Sequence, residues 1–375
     1  MTRRSFLTAF SAASLARAQS PQIYDLLLKN GHVLDPKNSR NGRMDVAVVA
    51  GKIARVAPDL PAAHARLVVE AAGYYVTPGL IDIHAHVDER AEGPSLQPDH
   101  HALTNGVTTV VDAGGVGPRD FEAYQRRTLA RSRTQVLAWL NISAGGIAAA
   151  AGPFDPAPCA AVAQKYARYI VGIRAGQADA IAPAVEAAKI AGVPVLSDVY
   201  SSGLRSGDIF SGAYPEKGPG DARAARDRGV LLDTSSFWFR TAGPALRAGL
   251  LPDTISTNLN KENFLLERTD MMPTLSKFLN LGLTVEQLIE RVTVNAAKAL
   301  RRPELGHLSE GASADLALLA LEKGAYGFLD AGHTRLPADR RLRCVLTARA
   351  GRVVFDADGL SLTEWTHAGP YSNYK

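Results

Sequence analysis

Apolar and polar positions along the chain fall into two regimes. Three strand-like runs, residues 24–35, 44–58 and 65–77, are separated by Asn, Gly and Pro turns and read as β-structure. From Pro78 onward short apolar strands alternate with Ala-rich segments of helical period, the pattern of parallel βαβ units that close into a barrel. Eight barrel strands are expected at residues 80–87, 107–115, 135–143, 169–176, 194–200, 207–213, 229–235 and 253–259. A helical stretch over 284–300 closes the barrel, and strands at 315–321, 341–348 and 352–356 return to the first β-layer. The expected fold class is α/β: a TIM (β/α)8-like barrel over 78–305, with a small discontinuous β-sandwich domain from 19–77 and 306–365.

One connection strains this scheme. Only residues 201–206 separate the fifth and sixth strands, whereas a parallel crossover takes a dozen or more residues and usually a helix. Either the fifth strand is misplaced or the barrel is incomplete around strands five and six. The next link, residues 215–228, is also lean, although residues 221–228 can form a short helix.

Composition narrows the class of protein. The 375 residues are 46% hydrophobic and 21% charged, with no apolar run near the ~18 residues of a membrane span. Of the formal charge of +5, three units, Arg3, Arg4 and Arg17, sit in an N-terminal leader, and the remaining +2 is too small to argue for nucleic acid. That leader, residues 1–18, runs Thr2-Arg3-Arg4-Ser5-Phe6-Leu7, continues apolar to Leu15, and ends on Ala16-Arg17-Ala18. It resembles a twin-arginine signal with an A-x-A cleavage site, so export to the periplasm is expected. Cys159 and Cys344 lie far apart in different expected domains and read as two buried, unpaired thiols.

The chemistry begins at Val76-Thr77-Pro78-Gly79-Leu80-Ile81-Asp82-Ile83-His84-Ala85-His86. Positions i and i+2 of a strand share a face, so Asp82, His84 and His86 point one way, at the C-terminal strand end where barrel sites are built. This stretch resembles the start of the barrel in the amidohydrolase superfamily, where a His-x-His pair meets the metals. Further stretches, among them Asn105-Gly106-Val107-Thr108-Thr109, Leu251-Pro252-Asp253-Thr254-Ile255-Ser256-Thr257 and Ser276-Lys277-Phe278-Leu279, look like the dihydroorotase-like deacetylases of that superfamily.

The resemblance implies two divalent metals held by the strand-one histidines, a carboxylated lysine on strand four, histidines on strands five and six, and an aspartate on strand eight. Here the lysine position holds Arg174, the two histidine positions hold Asp198 and Gly212, and the aspartate position holds Asn258. No histidine occurs between His101 and His307, so no local shift of alignment restores the lost ligands. Adjacent His100 and His101 read as a polar patch opening a surface helix. Arginine stays protonated and forms no carbamate. Two unit charges at ~4 Å and an effective dielectric of ~20 repel by about 4 kcal/mol, and a divalent ion beside Arg174 would suffer roughly twice that. Asp198 can pair with that guanidinium, as both side chains are expected to project into the mouth; the alternative is that Arg174 only fills space left by lost loops. Asn258 has no titration with which to shuttle a proton, a function worth ~10²- to 10⁴-fold in rate.

Two functions lead at this point, ahead of a lyase or other retooled chemistry. One is a non-catalytic relative, its dinuclear centre largely lost, that binds an anionic or acylated small molecule at Arg174 or serves only as a partner surface. The other is a mononuclear hydrolase of acylated small molecules, with zinc or another divalent metal on His84 and His86 and a third ligand from Asp198, Asp112 or Asp208. Either way the cofactor expectation is at most one divalent ion per chain, or none. The sequence leaves the oligomeric state open.

Overall fold

The computed structural model describes residues 23–88, 95–149 and 152–369; the leader over residues 1–18 lies outside them. The chain opens with β1 (Leu26–Asp35), β2 (Arg40–Val49), β3 (Lys52–Ala57), β4 (Val68–Glu70) and β5 (Tyr75–Pro78). Leu26, Leu27 and Leu28 are all buried, so β1 is covered on both faces and reads as a continuous apolar run rather than an alternating one.

The barrel follows as β6 (Leu80–Ala85), β7 (Val107–Ala113), β8 (Gln135–Asn141), β9 (Ile170–Ala175), β10 (Val195–Ser197), β11 (Ile209–Phe210), β12 (Leu231–Thr234) and β13 (Thr254–Ile255). These eight strands form one parallel sheet in chain order. A parallel bridge between Ala85 and Leu259 brings its two edges together. The chain then returns through β14 (Leu316–Leu329), β15 (Arg335–Arg349) and β16 (Arg352–Asp356), which complete the first sheet in the order β16-β15-β14-β5-β1-β2-β3, with β4 also on β1.

Around and between the barrel strands lie α1 (Pro98–Ala102), α2 (Phe121–Tyr124), α3 (Pro156–Lys165), α4 (Ile181–Ala191), α5 (Gly220–Asp227), α6 (Phe239–Arg247), α7 (Lys261–Leu266), α8 (Met271–Asn280), α9 (Val285–Arg291) and α10 (Val294–Ala299). Ile81, Ile83, Leu137, Trp139, Leu196 and Ile209 from the strands share a buried cluster with Ala296, Ala297 and Leu300. The α10 segment thus plugs the N-terminal end of the barrel, where Ile81 N–H also bonds Val292 O at 2.8 Å. Both cysteines are buried and free.

Three expectations change in detail. The helical stretch 284–300 is two helices, broken at Thr293, whose φ of −130° and ψ of −97° leave the helical region. Gly306, at φ 69°, packs so close that a Cβ there would lie 2.7 Å from the Thr293 carbonyl. The last hairpin is far longer than the expected strands at 315–321 and 341–348, because the outer half of β14 and β15 is largely exposed and carries no apolar run to announce it. Its turn docks on the barrel: buried Asp330 accepts from Phe239 N at the start of α6, from Thr334 N and Oγ1 and from Gly332 N, all within 2.9–3.0 Å.

The barrel is also complete around strands five and six, which the short link had put in question. The strands shrink to Val195–Ser197 and Ile209–Phe210 and pair directly, Leu196 opposite Ile209 and Ser197 opposite Phe210. Residues 198–208 cross between them without a helix. The buried Asp208 carboxylate takes over the helix's bracing role: it accepts from Val195 N at 2.9 Å, Arg205 N at 2.7 Å and the Arg205 guanidinium at 2.7 and 3.0 Å. The same guanidinium reaches Val193 O at 3.0 Å.

Asp208→Ala should therefore cost about 2–4 kcal/mol in chemical denaturation, because it strands a buried backbone N–H and a half-buried cation. A loss below about 0.5 kcal/mol would mean that the link holds itself.

Candidate functional site

The mouth is assembled from strand ends. His84, on β6, places its Nδ1 2.8 Å from Ser211 Oγ, just past β11, and that hydroxyl donates to the Asp233 carboxylate on β12 at 2.6 Å. Two residues on, His86 sets its Nε2 3.1 Å from Asn258 Oδ1, beyond β13. The two imidazoles meet edge to face with centroids 5.8 Å apart. Asp82, below them, accepts from Thr257 Oγ1 at 2.6 Å and from Thr257 N at 3.2 Å. The three side chains of the Asp-x-His-x-His strand thus all engage residues of the late barrel strands.

Arg174, at the end of β9, forms an ion pair with Asp198, just beyond β10. The guanidinium stem runs past Gly114, at φ 77°, where a Cβ would sit 2.6 Å from Arg174 Cδ. Asp198 Oδ1 faces His84 Nε2 at 4.0 Å. Asn258 adopts φ 50°, a left-handed conformation that Asn tolerates better than most residues. Its carbonyl accepts from Asn260 and Asn263 Nδ2 at 2.9 and 2.7 Å, and its own Nδ2 donates to Ser236 Oγ at 3.2 Å. Gly212 adds no side chain to this group, and a Cβ there would come within 2.9 Å of the Phe210 ring.

Burial decides the protonation of this region. It holds His84 well below the ordinary imidazole range, with Arg174 adding to the shift. His86 is lowered to about 3, by burial first and then by His84 and Arg174. Both rings are neutral at ordinary pH. Burial also raises three carboxyls, Asp82 and Asp233 to about 7 and Asp112 to about 6, against the hydrogen bonds that favour their ionised forms.

His84, His86, Arg174, Asp198 and Asn258 therefore lie together. Two of the expected third ligands do not join them as free carboxylates. Asp208 is the brace of the 198–208 link, and Asp112 accepts from the backbone N–H groups of Val87 and Gly115 at 3.0 and 2.8 Å. His100 is exposed on α1. His101 packs its ring on Phe264 at 4.6 Å, with Asp270 3.7 Å away. The sequence reading missed Ser211, Asp233 and Ser236. Their signal was position alone: each stands at or just past the C-terminal end of a barrel strand.

The donor set does not suit two metal ions. Among the described residues no three His, Cys, Asp or Glu side chains are grouped to hold even one. Asp198, the carboxylate 4.0 Å from His84 Nε2, is already paired with a fixed cation. Three buried atoms of this group nevertheless have no hydrogen-bond partner among the described residues: His84 Nε2, His86 Nδ1 and Asp198 Oδ1.

Comparison with known proteins adds a lineage. The amidohydrolase family matches residues 276–355. A deacetylase of Agrobacterium fabrum is 27% identical over 81% of this chain and 85% of its own length. A deacetylase of Enterococcus faecalis is also 27% identical, over 88% of this chain and 99% of its own. Among solved structures, an adenine deaminase superposes with a TM-score of 0.80 at 25% identity, covering 89% of this chain and 100% of the other. A dihydroorotase gives 0.79 at 24%, covering 88% and 99%.

Two measurements test this geometry. Asp198 is 33% exposed on its side chain, so a double-mutant cycle with Arg174→Ala and Asp198→Ala should give a coupling of about 1–3 kcal/mol, below the ~3–5 kcal/mol of breaking a fully buried pair. Additive losses would show that the pair contributes nothing. Asp233, raised to about 7, is favoured in its protonated form by folding. That contribution is complete below about pH 4 and disappears as pH rises through about 7. Asp233→Asn lacks the slope, so its stability relative to the parent should improve between pH 5 and pH 8. An equal difference at both pH values would refute the assignment.

Proposed function

Because the chain belongs to the amidohydrolase superfamily, a group that is generally metal-dependent, we propose that it keeps the barrel and its mouth but has largely lost the dinuclear centre, and that it binds an anionic or acylated small molecule there. The observation that carries this reading is the Arg174–Asp198 ion pair beside His84. A guanidinium at the strand-four position is a permanent cation, and its Nε remains buried and unpartnered. A ligand carboxylate or acyl oxygen can draw on that donor, while the neutral imidazoles and the Asn258 carboxamide orient the rest of the molecule. Asn258, a carboxamide, has no titration with which to take a proton from an attacking water, and burial holds both imidazoles well below the ordinary range, which makes them weak bases.

A second reading rests on the three unpartnered atoms. His84 Nε2, His86 Nδ1 and Asp198 Oδ1 could hold a single divalent ion once Asp198 turned from Arg174, and such an ion would supply Lewis acidity toward an acyl carbonyl. The protein would then be a mononuclear hydrolase of acylated small molecules, in keeping with the two deacetylases it resembles. In location the proposal follows the leader: Arg3-Arg4 and Ala16-Arg17-Ala18 support export through a twin-arginine route and a periplasmic site of action.

Elemental analysis of protein purified without chelators, supplied with zinc and dialysed against metal-free buffer, separates the readings. The binding reading expects no retained ion that His84→Ala or His86→Ala removes, and no hydrolysis of N-acyl amino acids. One ion per chain, with hydrolysis that vanishes in both variants, would establish the mononuclear enzyme instead. Two ions lost in those variants would overturn both readings.

A further inference from the structure

A cavity of about 770 Å³ lies between α8 and the outer half of the β14–β15 hairpin, and it shares no residue with the barrel mouth. Its size falls within the ~300–1,000 Å³ typical of small-molecule sites. Met272, Tyr326, Phe328, Leu342 and Phe355 give it an apolar, largely aromatic wall.

The charge around that wall is one-sided. Four arginines line the cavity, at positions 268, 335, 341 and 343, against a single acid, Glu267. Two of the four are already neutralised. Glu322 accepts from Arg341 and Arg343 at 2.7 and 2.6 Å, and Asp358 accepts from Arg343 at 2.9 and 3.1 Å. Among the described residues, neither Arg268 nor Arg335 stands within ion-pair distance of a carboxylate. Arg335 donates only weakly, to Tyr326 O at 3.4 Å, and its guanidinium lies over Gly327, where a Cβ would come 2.5 Å from Nε. Arg268 is presented from a left-handed backbone at φ 50°. Glu267 does not cancel them: burial raises its carboxyl, and the charges that favour its ionised form come from Lys277 and His333, which are not among the lining residues.

Two uncompensated guanidiniums at the rim of an aromatic cavity match a molecule with an anionic head and an apolar body. We infer that this cavity is a second ligand site, separate from the barrel mouth, for a small amphiphilic anion of the aryl or alkyl carboxylate class. The head would take bidentate hydrogen bonds from Arg335 or Arg268, and the body would stack against Tyr326 and Phe328.

Isothermal calorimetry on the full chain with 2-naphthoate, with 2-naphthalenemethanol as its uncharged counterpart, tests this. The expected result is saturable binding of the carboxylate, weakened at least tenfold in the double variant Arg268→Ala with Arg335→Ala and unchanged in Arg174→Ala. Both rim arginines are exposed, so the double variant should keep the parent's melting temperature, and each single variant provides a fallback should it not. Equal affinity for the uncharged counterpart would overturn the assignment of an anion site. Binding abolished by Arg174→Ala but not by the rim variants would move the anion to the mouth. A concentration-dependent dimer that excludes 2-naphthoate, seen by sedimentation, would mean that a second copy covers the cavity and would also refute the inference. Each result is independent of whether the mouth holds a metal.

Discussion

The mouth of this barrel depends on a narrow seam. β13 is two residues long, so few backbone bonds can join the last strand to the first. The connection consists of Asn258 N–H on His84 O at 2.7 Å, His86 N–H on Leu259 O at 2.8 Å, and the buried Asp82 carboxyl receiving both N–H and Oγ1 of Thr257. The residues that close the barrel are therefore the residues, or the immediate neighbours of the residues, that face the ligand space. His84 and Asn258 cannot shift without opening the sheet. Such a seam fixes where the backbone presents the two imidazoles, and the Ser211 and Asn258 side chains hold the rings.

The residues of the mouth fit one another. An arginine at the end of β9 is longer than a lysine and needs room for its stem, which Gly114 provides. It also needs a counter-charge, and Asp198 stands across the β9–β10 pair to supply one. The absent side chain at Gly212 leaves room for the Phe210 ring and for the Asp198 backbone carbonyl, which a Cβ would meet at 2.9 and 3.3 Å. Arg174, Asp198, Gly114 and Gly212 thus accommodate one another in charge and in volume.

How much of this was legible in the sequence varies with the kind of signal. Barrel strands with both faces buried, such as Ile170–Ala175, are short apolar runs, and the strand-end rule brought Arg174, Asp198 and Asn258 to the mouth together. The outer half of the β14–β15 hairpin was illegible because an exposed strand has no hydrophobic period to read. The helix-free crossover at 198–208 was illegible for a different reason. Its stability comes from one carboxylate gathering donors at residues 195 and 205, and such a knot has no periodicity at all. Ser211 and Asp233 escaped because a hydroxyl and an aspartate at strand ends are ordinary until the fold sets them beside an imidazole.

The docked turn of the long hairpin bears on how this architecture can vary. Hairpin turns on a sheet's periphery usually accept insertions freely, since nothing leans on them. Here Asp330 caps the first turn of α6 and Ala331 N–H bonds Phe237 O, one residue from Ser236, the partner of the Asn258 carboxamide. The turn is a strut between two sheets. Lengthening it, grafting a tag into it or trimming it would pull on the segment that orients Asn258, so evolutionary drift in this hairpin is tethered to the mouth although the two lie on different layers of the protein.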